Sequence, residues 1–334
     1  MKNSKTLDLK VVNSISTAIP LMKAPFQKGV ICVDVTNRCN LGCSNCTRFL
    51  ENQDGYWDMT PENFRIAVRS LREYPGVIAM IGGNPAMHRD FEQLCQIFIE
   101  EIPEKSRRGL WSNNVFKHAE LAAATFGTFN MNTHGDAKGT ESLRDLYLRT
   151  NKKGNLFIGN SLHAPLLTAL KDLYSEEDMW KLISQCDINQ RWSGTIIQNN
   201  GVLRAYFCEV AGSFDVARGE DFGHPVVDNW WRKPIEEYVG QIQKFCPGCG
   251  AAARFKGTLD NEETDTYTIS NLDLVKKSEK RHRKTILISN PNLMEHLERP
   301  ITSHQDSINK RILIIRSRLR IRSRIKNVFA RIIS

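Results

Sequence analysis

Three cysteines near the N-terminus have a spacing that suits an iron-sulfur cluster. Cys39, Cys43 and Cys46 form a CxxxCxxC pattern directly after an apolar segment. Three thiolates this close together can bind three irons of a four-iron four-sulfur (4Fe-4S) cluster and leave the fourth iron open to an outside ligand. Zinc is the alternative, but a structural zinc site usually takes four ligands from paired CxxC motifs. The pattern therefore favours the cluster.

A β-hairpin is predicted in the second half of the chain, where an Asn-Gly dipeptide at 200–201 separates the β-prone runs 195–198 and 202–207. Asn-Gly between such runs is among the strongest short-range signals for a hairpin. The hairpin would bring Cys186, which precedes it, close to Cys208 at its open end.

Cys246 and Cys249 form a CxxC pattern that can join this hairpin pair in a second metal centre. A structural zinc ion bound by the same four cysteines is the alternative. The two remaining cysteines, Cys32 and Cys95, lie among apolar neighbours and are interpreted as core residues.

Short apolar runs alternate with helical patterns from residue 29 to about 161, which is typical of repeated βα units and a parallel sheet. A helix is expected to begin at Pro61 with Thr60 as its N-cap. Two more helices are predicted at 85–102 and 141–150. The predicted strands are 30–35, 77–81, 109–112, 129–132 and 156–158.

Small and polar residues follow several of these strands. The second strand runs into Gly82-Gly83-Asn84-Pro85, and the two glycines permit close backbone approach. In parallel α/β barrels the chemistry lies at the C-terminal ends of the strands. We therefore expect the residues after the fourth and fifth strands to face a substrate cavity, and these include Asn132, His134 and His163.

The cysteine loop and the diglycine motif together resemble those of the radical S-adenosylmethionine (SAM) superfamily. There the open iron binds SAM, and reduction of the cluster cleaves SAM to a 5′-deoxyadenosyl radical. The resemblance implies an α/β fold with a partial TIM-like (β/α)6 barrel, which we place at residues 29–180 after an extension at 1–28. The four later cysteines resemble the twitch domain, a shortened SPASM domain that holds an auxiliary 4Fe-4S cluster, and we place it at 181–255.

The resemblance also implies which residues contact SAM. The superfamily typically has Gly-Gly-Glu-Pro where this chain has Asn84 in place of the acid, and an aromatic residue is common where Asn45 stands. The residues expected to bind SAM are Gly82, Gly83, Asn84, Pro85, Ser112, Asn113 and Asn132.

Oxidation is the favoured reaction. With four cysteine ligands the auxiliary cluster has no open iron, so its natural role is to accept an electron from a substrate radical. A base must take the accompanying proton, and the candidates are His134, His163 and Arg191. A redox-neutral epimerase would instead need a hydrogen-atom donor, often a cysteine, and the spare thiols Cys32 and Cys95 are interpreted as structural.

A sugar-like small molecule is the expected substrate. Many SPASM proteins that modify peptides carry a peptide-recognition domain that does not fit within residues 1–28. Sugar-modifying twitch enzymes provide an analogy. An external electron donor such as a flavodoxin or ferredoxin is the expected protein partner.

The positive charge of the chain lies at its C-terminus. Residues 310–334 carry nine basic and no acidic side chains, which accounts for the whole formal charge of +9. This basic tail suits an anionic membrane surface, while a solvated or partner-binding tail is the alternative. It follows a polar extension at 256–309, in which 260–265 is expected to form a loop.

The expected location is the cytoplasm, with peripheral contact at the inner face of the membrane through the tail. The first 28 residues lack the apolar core of a signal peptide, and metal-like cysteine spacings suit a reducing compartment. Two rival functions stay open: an RNA-modifying radical SAM enzyme, although nucleic acid is the less favoured partner, and a noncatalytic zinc or iron-sulfur protein held at membranes.

Overall fold

The computed structural model describes residues 13–150, 154–275 and 284–293. The predicted basic tail lies outside the described residues. The strands are β1 Val30–Asp34, β2 Val77–Ile81, β3 Arg108–Ser112, β4 Thr128–Asn132, β5 Asn155–Phe157, β6 Leu162–His163, β7 Gly194–Asn199, β8 Val202–Tyr206, β9 His224–Pro225, β10 Thr258–Leu259, β11 Thr264–Tyr267 and β12 Lys284–Leu287. The helices are α1 Ile15–Ala18, α2 Pro61–Arg69, α3 Phe91–Glu101, α4 Ala119–Thr125, α5 Ala137–Arg149, α6 Leu170–Leu173, α7 Glu176–Ser184, α8 Asp187–Arg191, α9 Glu209–Arg218, α10 Val239–Phe245 and α11 Leu272–Val275.

One eight-stranded sheet dominates the fold, in the order β5-β4-β3-β2-β1-β7-β8-β9. All pairs from β5 to β7 are parallel, and the last two pairs are antiparallel. The predicted α/β fold with a parallel sheet is confirmed. The sixth parallel strand, β7, pairs with β1 rather than following β5, because the buried strand β1 needs a hydrogen-bonding partner on each side.

The predicted strands and hairpin match the structure closely, with strand ends that differ by one residue at most among β1 to β5. The turn between β7 and β8 holds Asn200 at φ 48° and Gly201 at φ 82°. Two successive positive φ angles are what a type I′ hairpin turn requires. The hairpin extends the main sheet through β7.

The capping residues determine where helices α2 and α5 begin. The Oγ1 atom of Thr60 accepts a hydrogen bond of 3.1 Å from the backbone N–H of Asn63, which confirms the predicted start of α2. The predicted helix 85–102 is instead a 3-10 turn at Pro85–Met87 followed by α3. Helix α5 begins four residues earlier than predicted, because Asp136 caps it by accepting from two backbone N–H groups.

The polar segment after residue 255 was predicted to be a loop at 260–265, and this was wrong in part. It contains strand β10, which pairs antiparallel with β6, and β11, which begins at Thr264. All four residues of β11 are buried. We call residues 256–268 the strap. Several of its polar side chains, among them Asp260 and Asp265, are buried and bond to other parts of the chain, which the sequence pattern alone does not reveal.

Cys32 and Cys95 are buried in the core, as predicted. Burial raises the pKa of the Cys95 thiol to about 12. Cys95 therefore packs as a small apolar side chain, whereas the Cys32 thiol donates a hydrogen bond to Glu209 Oε2 at 3.7 Å. No helix in the described part of the chain is long and apolar enough to cross a membrane.

A buried carboxylate on α3 forms ion pairs with three arginines that lie on α2 or just after it. Glu101 contacts Arg65 at 2.9 Å, Arg69 at 2.9 Å and Arg72 at 2.5 Å. The hydrogen bond from Arg69 is the main cause that lowers the pKa of Glu101 to about 2. We expect Glu101→Gln to lower the free energy of unfolding at pH 7 by about 1–3 kcal/mol.

The pH dependence of this effect checks its cause. A carboxylate with a lowered folded-state pKa stabilises the protein above its unfolded-state pKa, and this stability is lost as the pH falls through the folded-state value. Urea unfolding should therefore show the deficit of Glu101→Gln above pH 5 and show it shrinking as the pH falls toward 2. A deficit that is independent of pH would contradict the assignment.

Candidate active site

The cysteine loop follows β1 and is docked on the diglycine turn that follows β2. The N–H of Gly83 donates to the carbonyl of Thr36 at 2.8 Å, and the N–H of Asn84 donates to that of Arg38 at 2.7 Å. A Cβ atom on Gly82 would lie 2.3 Å from the Thr36 oxygen, and one on Gly83 would lie 2.3 Å from the Arg38 oxygen. The glycines are therefore needed because the two loops meet through their backbones.

This contact predicts a large effect of a small substitution. Gly83→Ala forces the Arg38 backbone to move, so we expect a loss of about 1–3 kcal/mol in the free energy of unfolding and less iron bound after reconstitution. Gly240→Ala is the matched control, since nothing lies within 4 Å of a Cβ built there. Equal stability and iron content in the two variants would show that the contact does not hold the loop.

Two of the predicted SAM-binding residues meet the cysteine loop at Asn40, and a third is bonded to one of them. Its Oδ1 atom accepts from Nδ2 of Asn84 at 3.0 Å and from Nδ2 of Asn113 at 3.1 Å. Ser112 Oγ donates to Asn84 Oδ1 at 3.1 Å. Among the described residues, the buried Oδ1 atom of Asn113 has no hydrogen-bond partner, so it can accept a bond from a ligand. Sequence reasoning missed Asn40, although it directly follows Cys39.

Asn45 joins the cysteine loop to the strap. Its N–H donates to Asp265 Oδ1 at 2.6 Å, its Nδ2 donates to Thr258 Oγ1 at 3.1 Å, and its Oδ1 accepts from the N–H of Thr266 at 2.9 Å. Its φ of 48° is left-handed, a conformation that asparagine tolerates better than most residues. These bonds explain why asparagine stands here, where the superfamily commonly has an aromatic residue.

The four predicted auxiliary cysteines line one apolar recess, which we call the auxiliary recess. Cys186 precedes α8 and Cys208 precedes α9, while Cys246 begins a 3-10 turn that Cys249 follows. The recess has about 430 Å³ of space, including its open mouth. Burial raises the pKa of the Cys186 thiol to about 11, and the neighbouring Cys208 adds to the shift. A metal centre would stabilise the deprotonated form of these cysteines, because it binds their sulfurs as thiolates.

The sulfur atoms of both sets also accept backbone hydrogen bonds. The N–H of Leu41 donates to Cys39 Sγ at 3.4 Å, and that of Ala251 donates to Cys249 Sγ at 3.5 Å. Hydrogen bonds of this kind stabilise thiolate ligands and help to set the potential of an iron-sulfur cluster. The donors and the thiol sets therefore fit the predicted clusters.

Lys28 places a positive charge beside the auxiliary recess. Its buried Nζ atom donates to the carbonyl of Phe207 at 2.8 Å, next to Cys208. Burial lowers the pKa of Lys28, whereas the nearby Cys208 and Glu209 oppose that shift. A cation in this position suits a site where several thiolates gather.

A buried ion pair joins the two cysteine sets. Arg48 lies two residues after Cys46, and its Nη2 atom is 3.0 Å from Oε2 of Glu209, the residue after Cys208. The Nε atom of Arg48 is 3.6 Å from Oδ1 of Asp34 at the end of β1. Although burial opposes the charged form, these two carboxylates raise the pKa of Arg48.

His134 and His163 meet at the C-terminal ends of the strands, where they share a cluster with Asp260 of the strap. Their ring centroids are 5.2 Å apart. His134 Nδ1 lies 2.9 Å from Asp260 Oδ2, and His163 Nδ1 lies 2.9 Å from the carbonyl of Ser44 in the cysteine loop. Sequence reasoning missed Asp260, because it lies in a polar segment that was predicted to be a loop.

Two other predicted site residues have different surroundings. Asn132 Oδ1 accepts from the N–H of His134 at 3.1 Å, and its Nδ2 donates to Ser161 Oγ at 2.8 Å, so it supports the histidine cluster. Arg191 lies on α8, five residues after Cys186, and its Nε atom is 2.8 Å from Asp187 Oδ1. Nearly half of the Arg191 side chain is exposed, and its base role stays a prediction.

Comparison with known proteins found likenesses to solved structures. No family model and no curated protein matches the chain. BtrN in complex with AdoMet and 2-DOIA is 16% identical over 66% of this chain and 92% of its own, with a TM-score of 0.45. Streptococcus suis SuiB bound to S-adenosylmethionine is 12% identical over 55% of this chain and 60% of its own, with a TM-score of 0.31. HydG, a maturase of the [FeFe]-hydrogenase, is 12% identical over 82% of this chain and 60% of its own, with a TM-score of 0.30.

The chain has an α/β fold with a large parallel sheet, in which the cysteine loop follows β1 and the diglycine turn follows β2. This arrangement agrees with the fold that the resemblance to the radical SAM superfamily predicted.

Proposed function

We propose that this protein is a radical SAM oxidoreductase that dehydrogenates a hydroxyl-bearing, sugar-like small molecule. The observation that supports this most strongly is the docking of the cysteine loop on the diglycine turn, where the exposed Asn40 accepts hydrogen bonds from the buried Asn84 and Asn113. When bound, a 4Fe-4S cluster and SAM would supply the 5′-deoxyadenosyl radical. Cys39, Cys43 and Cys46 would hold this cluster.

The polar network has atoms that suit the amino-acid part of SAM. The buried Oδ1 of Asn113, which has no hydrogen-bond partner in the described part of the chain, can accept a hydrogen bond from an ammonium group. Asn84 cannot supply the negative charge of the usual glutamate, and its amide is already bonded to Asn40 and Ser112. We therefore assign Asn84 to positioning the loop and Asn113 to contact with SAM.

Dehydrogenation of a hydroxyl-bearing carbon removes a hydrogen atom, a proton and an electron. The hydrogen atom would pass to the 5′-deoxyadenosyl radical, and the electron to a second cluster held by the four cysteines of the auxiliary recess. The proton would leave through the cluster of His134, His163 and Asp260. A redox-neutral epimerisation is less well supported, because Cys32 and Cys95 are buried in the core and cannot donate a hydrogen atom to a substrate in the cavity.

A sugar-like substrate is supported by the polar character of the strand ends. Ser161, Asn132 and His134 lie together there and offer hydroxyl, amide and imidazole groups. Groups of these types bind hydroxyl-rich ligands through several directional hydrogen bonds. An external donor such as a ferredoxin or flavodoxin would supply the electron that starts each turnover.

SAM cleavage provides the direct test. Protein reconstituted anaerobically with iron and sulfide and reduced with dithionite should convert SAM to 5′-deoxyadenosine, measured by liquid chromatography. A panel of sugars and aminocyclitols is then screened for faster 5′-deoxyadenosine formation with one carbonyl formed per SAM consumed. If cluster-loaded protein forms no 5′-deoxyadenosine, the proposed activity is wrong and the noncatalytic alternative gains support.

A further inference from the structure

The cluster of His134, His163 and Asp260 has the composition of a mononuclear metal site. Among the residues that the structure describes, these three form the group whose ligand atoms all lie within 4.8 Å of one another. We propose that they bind a divalent first-row metal ion, separate from both iron-sulfur sites. Two imidazoles and one carboxylate form a donor set used for such ions, and it leaves coordination positions open.

The separation of His134 and Asp260 fits two ligands of one ion. Metal bonds to histidine nitrogen and carboxylate oxygen are about 2.1 Å long, so two of them at a right angle place their ends about 3.0 Å apart. His134 Nδ1 and Asp260 Oδ2 are 2.9 Å apart. A hydrogen bond from a protonated Nδ1 has the same length, so the ion would replace one proton at this position.

The carboxylate is held in place by groups outside the cluster. The N–H of Ser161 donates to Asp260 Oδ2 at 2.8 Å. With the Asn160 amide oriented so that its nitrogen faces Asp260, Nδ2 donates to Oδ1 at 3.2 Å. Such supporting bonds orient a carboxylate that acts as a metal ligand.

The histidines are also oriented. His163 Nδ1 donates to the carbonyl of Ser44, which assigns Nε2 as its metal-binding nitrogen. His134 has a left-handed φ of 47°, and its N–H is bonded to Asn132. A non-glycine residue held in this region stores backbone strain, which is common at functional sites.

The role of the ion rests on the proposed function. Ser44 lies between two of the loop cysteines, so the site borders the region where SAM would bind. Open positions on the ion would take two neighbouring hydroxyls, or a hydroxyl and an amine, of a polyol. Coordination lowers the pKa of a bound hydroxyl, so its proton could pass to water during the oxidation, and the two imidazoles would then serve as ligands instead of bases.

Manganese binding to the cluster-loaded protein tests the site. Loading occupies the cysteine thiolates first, and Mn²⁺ is then titrated while free Mn²⁺ is followed by its electron paramagnetic resonance (EPR) signal. We expect about one ion per chain, with nitrogen couplings from two imidazoles in pulsed EPR. His134→Ala, His163→Ala and Asp260→Asn should each weaken binding more than about tenfold.

His118→Ala is the control, since His118 lies beside the exposed Glu92 and not in the cluster. Iron content and circular dichroism show whether each variant is folded. Absence of binding in wild type, or equal binding in wild type and all three cluster variants, would overturn the metal site. 5′-Deoxyadenosine formation is measured on the same samples. Wild type that cleaves SAM but binds no Mn²⁺ overturns this inference alone, and wild type that binds Mn²⁺ but forms no 5′-deoxyadenosine overturns the proposed function alone.

Discussion

Replacing Cys39, Cys43 and Cys46 with alanine is expected to abolish 5′-deoxyadenosine formation and to lower the iron content from about eight to about four per chain. These cysteines are the predicted ligands of the SAM-binding cluster, and their loop is docked on the diglycine turn through the backbone. Iron and acid-labile sulfide, measured after anaerobic reconstitution, and SAM cleavage are the readouts.

The control is the pair Cys246→Ala and Cys249→Ala in the auxiliary recess. It should also lower iron from about eight to about four, but it should leave SAM cleavage in the absence of substrate intact. Wild type with about four irons, all lost in the triple variant, would leave the auxiliary set zinc-bound or empty. That result would turn the assignment toward redox-neutral chemistry.

Arg48→Met is expected to destabilise the protein by about 3–5 kcal/mol, because removing one partner of a buried ion pair leaves the other charge uncompensated. Here two carboxylates would be left, Glu209 at 3.0 Å and Asp34 at 3.6 Å. Asp34 also accepts a hydrogen bond from Thr195 at 2.6 Å and Glu209 one from Ser193, so neither can turn toward solvent. Urea unfolding measures the loss.

Two comparisons make this result specific. The double variant Arg48→Met with Glu209→Gln should regain part of the stability, since it leaves fewer unpaired charges. Arg149→Met removes a half-exposed pair with Asp145 and should cost less than about 1 kcal/mol. Equal losses for Arg48→Met and Arg149→Met would show that the buried pair does not join the two cysteine sets energetically.

Local sequence signals predicted the elements that carry the cysteines. The apolar runs set strands β1 to β5, Thr60 and Pro61 set the start of α2, and the Asn-Gly dipeptide set the hairpin turn. Each of these depends on a few neighbouring residues and their backbone preferences. The spacing of Cys39, Cys43 and Cys46 is a local property as well, which is why the cluster hypothesis could be made from the sequence.

The partners of the site were decided only by the tertiary structure. Asp260 reaches His134 across 126 positions of the chain, and Asp265 reaches Asn45 across 220. A polar segment such as the strap has the composition of a solvated loop, and only long-range hydrogen bonds make its burial favourable. The pairing of β7 with β1 is likewise non-local. The sequence by itself therefore determined which cysteines form the two predicted iron-binding sets, and the tertiary structure decided what surrounds them.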